Sequence, residues 1–410
     1  MDSSLPQRIL LGPGPSVVDP RVYRAMSAPI TGHMDPRFLA LMKDVRAKLR
    51  RVFRADYEVT IPISGTGSAG MEAALVNFLE PGDWVCVLSA GFFAARMADI
   101  AHRAGARVHL IETEWGLPTD PERVARELAG KHPKVLAVVH GETSTGVMQP
   151  LEPLAQIARD SGALFVVDTV ATLGGTPIEV QKLGIDVCYS GSQKCLGCPP
   201  GLAPITASER AMEVLRARKT PVQSWYLDLS GVEKYWGSER AYHHTAPISL
   251  IYALNEALNL IEEEGLEARW ARHARNMAAL NAGLAALGLE ALAPPEYRMP
   301  MLATVRVPAG VDDARVRSRL LDRFNIEIAG GLGPFKGKLW RIGLMGSSST
   351  EANVLLVLAA LEMLLAEEGV ISARGALWLV RGFFRDGHKW LRADYTGLDP
   401  LRRLQLYGSA

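Results

Sequence analysis

The chain has 410 residues, 48% of them hydrophobic, so it can bury a large core and divide into two domains. Lys and Arg number 45 against 44 Asp and Glu, a balance that gives no indication of nucleic-acid binding. Scattered cysteines make no disulfide framework, and no apolar stretch has the length of a signal sequence or membrane span, so we expect a cytoplasmic protein without membrane contact.

Short apolar runs rich in β-branched residues alternate with helical patterns between residues 59 and 206. This alternation predicts an α/β fold in which a mostly parallel sheet is covered by helices on both faces. The predicted strands are 59–63, 84–88, 106–111, 134–139, 163–167, 186–190 and 202–206. The predicted helices are 68–79, 92–105, 120–128 and 151–162.

The order of elements changes after a long helical pattern at 248–265. Helix, strand, helix, strand and helix then follow, which predicts a smaller C-terminal α+β domain. These segments are 266–288, 303–310, 312–324, 338–346 and 350–369. The expected organisation is an N-terminal arm, a large domain, a small domain and a basic, aromatic C-terminal extension, at residues 1–20, 21–258, 259–370 and 371–410.

The C-terminal extension has more Lys and Arg than Asp, with aromatic residues between them. A peripheral membrane or partner contact is one interpretation of this composition. Gly375, Gly382 and Gly387 should interrupt any long helix. We therefore favour docking of the extension on the protein's own surface or at a dimer interface.

Polar and glycine-rich segments directly follow five of the predicted strands. Ligands bind at the carboxyl ends of the strands in open parallel sheets, so these segments should form one rim. In chain order they read SGTGSAG, SAGFF, HGETSTG, DTVAT and SGSQK.

The first of these segments contains Gly65, Gly67 and Gly70 in the spacing GxGxxG. A dinucleotide-binding fold would need an acidic residue at the end of the next strand, where Ser89 stands instead. A helix N-terminus that binds one phosphate through backbone N–H groups and Thr66 fits better. Glycines that serve only a tight turn are the alternative.

Asp168 and Lys194 follow two later strands. Taken alone, the aspartate could be a helix cap and the lysine a solvated surface charge. Together with the glycine loop they match the needs of pyridoxal 5'-phosphate, namely an anchored phosphate, a carboxylate at the ring nitrogen and an imine-forming lysine. No metal site is expected, because the pair Cys195 and Cys198 lacks a second pair at zinc spacing.

Longer motifs give a more specific indication: LLGPGPS, SGTGSAGMEAALVN, LEPGD, HGETSTGVMQPL, DTVATLGGTPI, GIDVCYSGSQK, YHHT and EIAGGLGPFKGKLWRIGLMG. On these motifs the chain resembles the class V aminotransferases of fold type I, specifically the alanine:glyoxylate and serine:pyruvate aminotransferase family. The resemblance runs from Leu10 to Gly369. It implies a large domain that binds pyridoxal 5'-phosphate and a smaller C-terminal α+β domain.

The same resemblance implies the cofactor contacts. Lys194 would form the imine, Asp168 would pair with the pyridine nitrogen and Thr143 would lie near the ring hydroxyl. Phe93 would stack on the ring in place of the usual tryptophan, and Ser68 stands where a histidine occurs in mammalian-type enzymes. The other implied contacts are Thr66, Gly67, Val170 and Gln193, with Tyr242 and Thr245 reaching across from the partner subunit, so the enzyme should be a homodimer with shared sites.

The resemblance also implies how the substrate is bound. Arg341 would hold the substrate carboxylate with a bidentate fork that lysine cannot reproduce. Gly14 lies in a segment that would form a rigid loop beside the substrate, although a plain turn-rich arm is equally compatible. Ureidoglycine:glyoxylate aminotransferases share several motifs but carry glutamine and asparagine where this chain has His33 and Tyr242. His33 is then either a substrate contact or a loop residue.

We therefore expect a ping-pong transamination from alanine or serine to glyoxylate or pyruvate, with ureidoglycine as the alternative donor. Lys194 would move the proton between the substrate's α-carbon and the cofactor as general base and then as general acid. A non-catalytic cofactor-binding regulator would have lost Lys194 or Arg341, and both are present. Cysteine desulfurases need a nucleophilic cysteine in the small domain, and none follows Cys198.

Overall fold

The computed structural model describes residues 6–370 and 375–386. Its α-helices are α1 Pro20–Met26, α2 Pro36–Phe53, α3 Gly67–Val76, α4 Phe92–Arg103, α5 Pro121–Leu128, α6 Glu152–Ser161, α7 Val180–Leu183, α8 Glu209–Arg216, α9 Leu229–Trp236, α10 Ile248–Glu264, α11 Leu266–Ala286, α12 Asp313–Phe324, α13 Glu351–Glu367 and α14 Ala376–Asp386. Its strands are β1 Ile9–Leu10, β2 Val59–Ser64, β3 Trp84–Ser89, β4 Arg107–Glu112, β5 Val135–Val139, β6 Gly141–Glu142, β7 Val147–Met148, β8 Leu164–Asp168, β9 Val187–Tyr189, β10 Leu202–Ala207, β11 Leu302–Arg306, β12 Ile326–Glu327, β13 Ala329–Gly330 and β14 Leu339–Gly343.

The central sheet has seven strands in the order β2, β10, β9, β8, β5, β3 and β4. Strand β10 is antiparallel to both of its neighbours, and the other neighbouring pairs are parallel. Every residue of β5 and β8 is buried, as expected for a parallel sheet covered on both faces. The mostly parallel α/β fold and its strands between residues 59 and 206 are therefore confirmed, with small shifts at the strand ends.

Local sequence explains where the covering helices begin and end. Asp120 precedes α5, and its carboxylate accepts a hydrogen bond from the Glu122 backbone N–H at 2.9 Å. Pro121 occupies the first position of that helix, where its missing N–H has no cost. Helix α6 ends at Gly162, whose φ of 74° suits a residue without Cβ. Helix α6 thus leads directly into β8, whose last residue is Asp168.

The small domain has its own apolar core and its own sheet in the order β11, β14 and β13. Helices α11 and α12 contact this sheet, and α13 packs against both helices. The predicted order of helix, strand, helix, strand and helix is confirmed, with the short strands β12 and β13 added between α12 and β14. The N-terminal arm contributes to the same unit, because β1 pairs in parallel with β12. Leu11 is fully buried in this second core, so the arm is anchored just before the GPGP segment.

The described part of the C-terminal extension is helix α14, which packs against α11 and α13. Ala376, Val380 and Phe383 are buried in the core of the small domain, so this part docks on the protein's own surface. The expectation that Gly382 interrupts a helix is wrong, because α14 continues through it. Residues 387–410 lie outside the described part, and no described helix is long and apolar enough to cross a membrane.

Candidate active site

The polar segments that follow the strands meet around one cavity of about 140 Å³. All five segments contribute to its lining, as expected for the carboxyl edge of a parallel sheet. The sequence-predicted residues that line it are Thr66, Gly67, Ser68, Phe93, Thr143, Asp168, Val170, Gln193 and Lys194. Residues far apart in sequence are thus brought together at one site.

The N-terminus of helix α3 forms one end of the cavity. Thr66 is the N-cap residue but its side chain makes no capping hydrogen bond, so the first N–H groups of the helix are available. A Cβ on Gly67 would lie 2.9 Å from a Val170 methyl carbon, so a larger residue would close this end. Free N–H groups and the helix dipole make a site for a phosphate group.

Asp168 ends strand β8 inside the cavity and is 3% exposed. Its carboxylate accepts hydrogen bonds from the Val170 backbone N–H at 2.7 Å and from the Tyr189 hydroxyl at 2.8 Å. Burial raises the pKa of Asp168 to about 6, because these two donors only partly replace water. A cation placed beside this carboxylate would stabilise its ionised form. The Tyr189 contact was not predicted from the sequence.

Lys194 is in direct contact with the N-terminal arm. Its Nζ donates a hydrogen bond to the Pro13 carbonyl oxygen, and a Cβ on Gly14 would be 2.5 Å from the same nitrogen. Burial, and then the positive charge of Arg341, lower the pKa of Lys194 to about 8. A large fraction of this amine is therefore neutral near pH 8, the form needed for nucleophilic attack.

Helix α4 supplies two cavity residues, only one of which was predicted. Phe93 was expected as the ring-stacking residue, and Arg96 follows it by three positions on the same helical face. The Arg96 guanidinium lies 5.0 Å from the Phe93 ring centroid and donates to the Ser68 hydroxyl at 3.1 Å. Arg96 thus places a positive charge near the N-terminus of α3. The three-residue spacing was a signal that could have identified it.

Arg341 lies on β14 of the small domain and is 7% exposed. Its Nε donates to the Gly330 carbonyl oxygen at 2.7 Å, and its Nη1 to the Thr143 carbonyl oxygen at 3.3 Å. Burial lowers the pKa of Arg341 to about 10, so it is charged at neutral pH. Within the described residues its Nη2 makes no hydrogen bond, which leaves a cationic donor next to Thr143 and Lys194.

Gly14 and Arg341 lie close to Lys194 without lining the cavity itself, and three further predicted residues, His33, Tyr242 and Thr245, also lie outside the lining. The rings of His33 and Tyr242 are 5.1 Å apart, and the Tyr242 hydroxyl is 3.4 Å from the Thr245 hydroxyl. Tyr242 is 61% exposed, so the described chain leaves most of this side chain uncovered. The contribution of Tyr242 and Thr245 across a dimer stays a prediction, and so does the substrate contact of His33.

The residues of the cavity fit pyridoxal 5'-phosphate. The α3 N-terminus suits a phosphate, and Asp168 is a buried carboxylate without a cationic partner among the described residues. Gln193 supports the fit, because its buried side-chain oxygen has no hydrogen-bond partner. Its terminal amide can turn to present N–H donors to a phosphate.

The described residues contain no group of three metal-ligating side chains. Cys195 and Cys198, which form the CxxC pair, are both buried. Burial raises the pKa of both thiols, which keeps them protonated and unreactive. Both cysteines lie close to Lys194 in the sequence and are part of apolar core clusters.

Comparison with known proteins identifies close relatives. The family model for aminotransferase class V matches residues 21–336. An (S)-ureidoglycine–glyoxylate transaminase from Bacillus subtilis is 44% identical over 391 residues, covering 91% of this chain and 94% of the relative. An alanine–glyoxylate aminotransferase from Rattus norvegicus is 43% identical over 362 residues, covering 87% of each chain. The crystal structure of an alanine–glyoxylate aminotransferase from Nostoc sp. has a TM-score of 0.87 at 49% identity, covering 89% of this chain and 97% of that chain.

Proposed function

This chain belongs to the class V aminotransferases, and we propose that it transfers the amino group of alanine or serine to glyoxylate or pyruvate, with pyridoxal 5'-phosphate as its cofactor. The observation that carries the proposal is the meeting of Lys194, Asp168 and the α3 N-terminus around one cavity. These three groups supply the lysine, the carboxylate and the phosphate site that the cofactor requires. Bound there, the cofactor would act as an electron sink for the carbanion that forms when the substrate loses its α-proton.

The cavity residues have distinct roles in holding the cofactor. Backbone N–H groups of Gly67 and Ser68 bind the phosphate, and the Gln193 amide adds a donor. Asp168 keeps the pyridine nitrogen protonated, because a buried carboxylate is stabilised by a cation at hydrogen-bond distance. Val170, Phe93 and Thr143 line the same cavity, where Val170 and Phe93 would enclose the ring and Thr143 would lie near its hydroxyl.

Lys194 performs the proton transfer. Its lowered pKa, about 8, makes the neutral amine accessible near neutral pH. With the cofactor in place, the Nζ of Lys194 would be the base that takes the proton from the substrate's α-carbon, and the protonated amine would then be the acid that gives it back. The half-buried position of Lys194 limits the access of water that would compete for that proton.

Arg341 and the N-terminal arm favour a small substrate. The guanidinium binds the substrate carboxylate, and its hydrogen bonds to Gly330 and Thr143 fix its orientation. The Pro13–Gly14 segment lies directly against Lys194, which limits the room for a bulky side chain at the reacting carbon. Both features suit alanine or serine better than a large amino acid.

The proposal includes a homodimer in the cytoplasm. Tyr242, Trp225 and Tyr226 are exposed aromatic side chains near the segment expected to reach the other subunit's phosphate site. A partner subunit would cover them. All four cysteines are free and buried, consistent with a reducing compartment.

Mixing two inactive variants tests whether the sites are shared. Lys194→Ala removes the nucleophile, and the double variant Tyr242→Phe/Thr245→Ala removes the hydroxyls expected at the phosphate. A mixed dimer has one site with an intact Lys194 and intact hydroxyls, so co-expression should restore activity that neither variant has alone at low cofactor concentration. If the mixture stays inactive, the two hydroxyls do not act across the dimer.

Ureidoglycine is the second candidate donor, favoured by the Bacillus subtilis relative. The test mixes purified enzyme carrying the cofactor with alanine, serine or ureidoglycine separately and follows loss of the visible absorbance of the lysine-bound cofactor. We expect a response to alanine or serine, whereas a response to ureidoglycine alone would establish the second candidate. His33→Gln should then improve any ureidoglycine response, because an amide can donate and accept hydrogen bonds with a ureido group.

A further inference from the structure

Helix α4 carries the ring-stacking Phe93 but does not cap its own N-terminus. Its N-cap residue is Gly91, which has no side chain to accept the first N–H groups. The Phe92 N–H instead donates to the Ser144 hydroxyl at 3.0 Å. The N–H groups of Phe93 and Ala94 donate to Glu142 Oε2 at 3.0 and 3.2 Å. The cap of α4 is thus supplied by the last residue of β6 and by the turn that follows it.

All hydrogen bonds of the Glu142 carboxylate within the described residues belong to this cap. Its Oε1 accepts hydrogen bonds from the Ser144 hydroxyl at 2.6 Å and from the Ser144 N–H at 3.1 Å, so both carboxylate oxygens are occupied. The residue is 2% exposed and forms no ion pair with a described residue. A Cβ on Gly91 would lie 2.4 Å from Glu142 Cγ, so the close approach requires glycine at that position.

The cap joins three parts of the candidate active site. Phe93 is the second residue of α4, and its own N–H is held by Glu142. Thr143 lies between the two capping residues, so its position follows from theirs. The Thr143 carbonyl oxygen accepts a hydrogen bond from Arg341, which extends the connection to the small domain.

We propose that Glu142 is a positioning residue of this aminotransferase, which fixes the ring-stacking Phe93 and Thr143 relative to each other and thereby sets the orientation of the cofactor ring. This role rests on the proposed function, because it needs a cofactor ring in the cavity. Glu142 does not touch the reacting atoms and acts through its neighbours. Burial raises the pKa of Glu142, whereas the donated hydrogen bonds and the positive end of the α4 dipole favour its ionised form.

The first test replaces Glu142 with glutamine, which keeps the shape but offers one accepting oxygen instead of two. Some of the four donors then lose their acceptor, and the turn and helix should separate slightly. We expect weaker cofactor binding, a changed visible circular dichroism of the bound cofactor, and a kcat reduced on the order of 10- to 100-fold by misplacement of the ring. KM for the amino donor should change less, because Arg341 remains in place.

Asp186→Asn is the matched control. Asp186 is 4% exposed and, like Glu142, accepts hydrogen bonds from a backbone N–H and a serine hydroxyl, those of Phe165 and Ser208, both at 2.9 Å. It differs in its ion pair with Arg210 and lies at the opposite end of the strands from the cavity. This variant should lower the melting temperature and leave the cofactor signature and kcat unchanged. The same pattern in Glu142→Gln would show a purely structural role and overturn the proposal.

Ser144→Ala is a milder variant should Glu142→Gln fail to fold. It removes the acceptor for Phe92 and one donor to Glu142 but leaves the carboxylate in place. The change in the cofactor's circular dichroism should have the same direction and a smaller size, and an unchanged spectrum would overturn the proposal. A wild-type protein that binds no pyridoxal 5'-phosphate would overturn the proposed function itself. A normal wild-type spectrum with unaltered variants would overturn only the role of Glu142.

Discussion

Gly14 and Lys194 lie so close together that a Cβ on the glycine would be 2.5 Å from the lysine Nζ and 2.4 Å from its Cδ. The backbone of Gly14 also has a φ of 105°, which side chains disfavour. The arm that approaches the lysine is anchored on the small domain through Leu11. A residue of the N-terminal arm therefore limits the space around the expected nucleophile.

We expect Gly14→Ala to abolish activity, because the methyl group must displace Lys194 or the arm. Uptake of pyridoxal 5'-phosphate, measured by its visible absorbance, should fall with it. Gly12→Ala is the control, since its Cβ would meet Ala329 at an ordinary 3.9 Å. A Gly14→Ala variant as active as Gly12→Ala would contradict the close approach of Gly14 to Lys194.

The lowered pKa of Lys194 predicts how cofactor uptake depends on pH. The neutral amine attacks the aldehyde, so in cofactor-free protein the rate of uptake should rise with pH around a midpoint near 8, well below the usual lysine value. Arg341→Gln removes a like charge and should move the midpoint to higher pH. Arg103→Gln, on the exposed face of α4, should not move it. Stopped-flow absorbance provides the measurement.

Much of the fold could be predicted because hydrophobic patterns report local structure. Runs such as 135–139 are apolar throughout, and a strand buried on both faces requires that composition. Once the strands are parallel, Asp168 and Lys194 must come to the same edge, so their meeting followed from topology. The sequence did not indicate that β10 runs antiparallel, because strand direction is set by partners distant along the chain.

The unpredicted parts of the site depend on contacts between distant segments. In the sequence, Glu142 is one acidic residue among polar neighbours. Its capping role depends on a helix that begins about 50 residues earlier. The pairing of the arm with β12 joins Ile9 to Ile326, which no periodicity reports. Tyr189 has the position of an ordinary strand residue, and only the fold directs its hydroxyl toward Asp168.

Helix α14 should contribute to the stability of the small domain. Phe383 is 5% exposed within the second core, so Phe383→Ala should reduce the free energy of unfolding by about 3 kcal/mol through lost burial and a cavity. Arg381→Ala, on the exposed side of the same helix, should have little effect. Urea unfolding of the two variants makes the comparison. Equal stabilities would mean that α14 is not docked in solution.

Asp168→Asn should have opposite effects on the cofactor-free and cofactor-bound protein. Burial raises the pKa of this carboxyl from 3.8 to about 6, so at pH 7 the cofactor-free protein holds an unfavourable buried charge. By linkage that shift costs the cofactor-free wild-type protein about 3 kcal/mol of folding stability at pH 7. The neutral asparagine avoids this cost, so the cofactor-free variant should be more stable than the wild type.

The sign of the pH dependence follows from the raised pKa. As pH falls from 6 toward 4, native Asp168 takes up its proton before the unfolded chain does, so the wild-type protein gains stability and the advantage of asparagine shrinks. With the cofactor bound, the pyridinium stabilises the carboxylate, and asparagine should instead weaken binding and lower kcat. Urea unfolding of cofactor-free protein at pH 5 and 7.5, together with cofactor titration, measures both effects. An asparagine variant less stable than wild type at pH 7.5 without cofactor would contradict an uncompensated buried charge at this position.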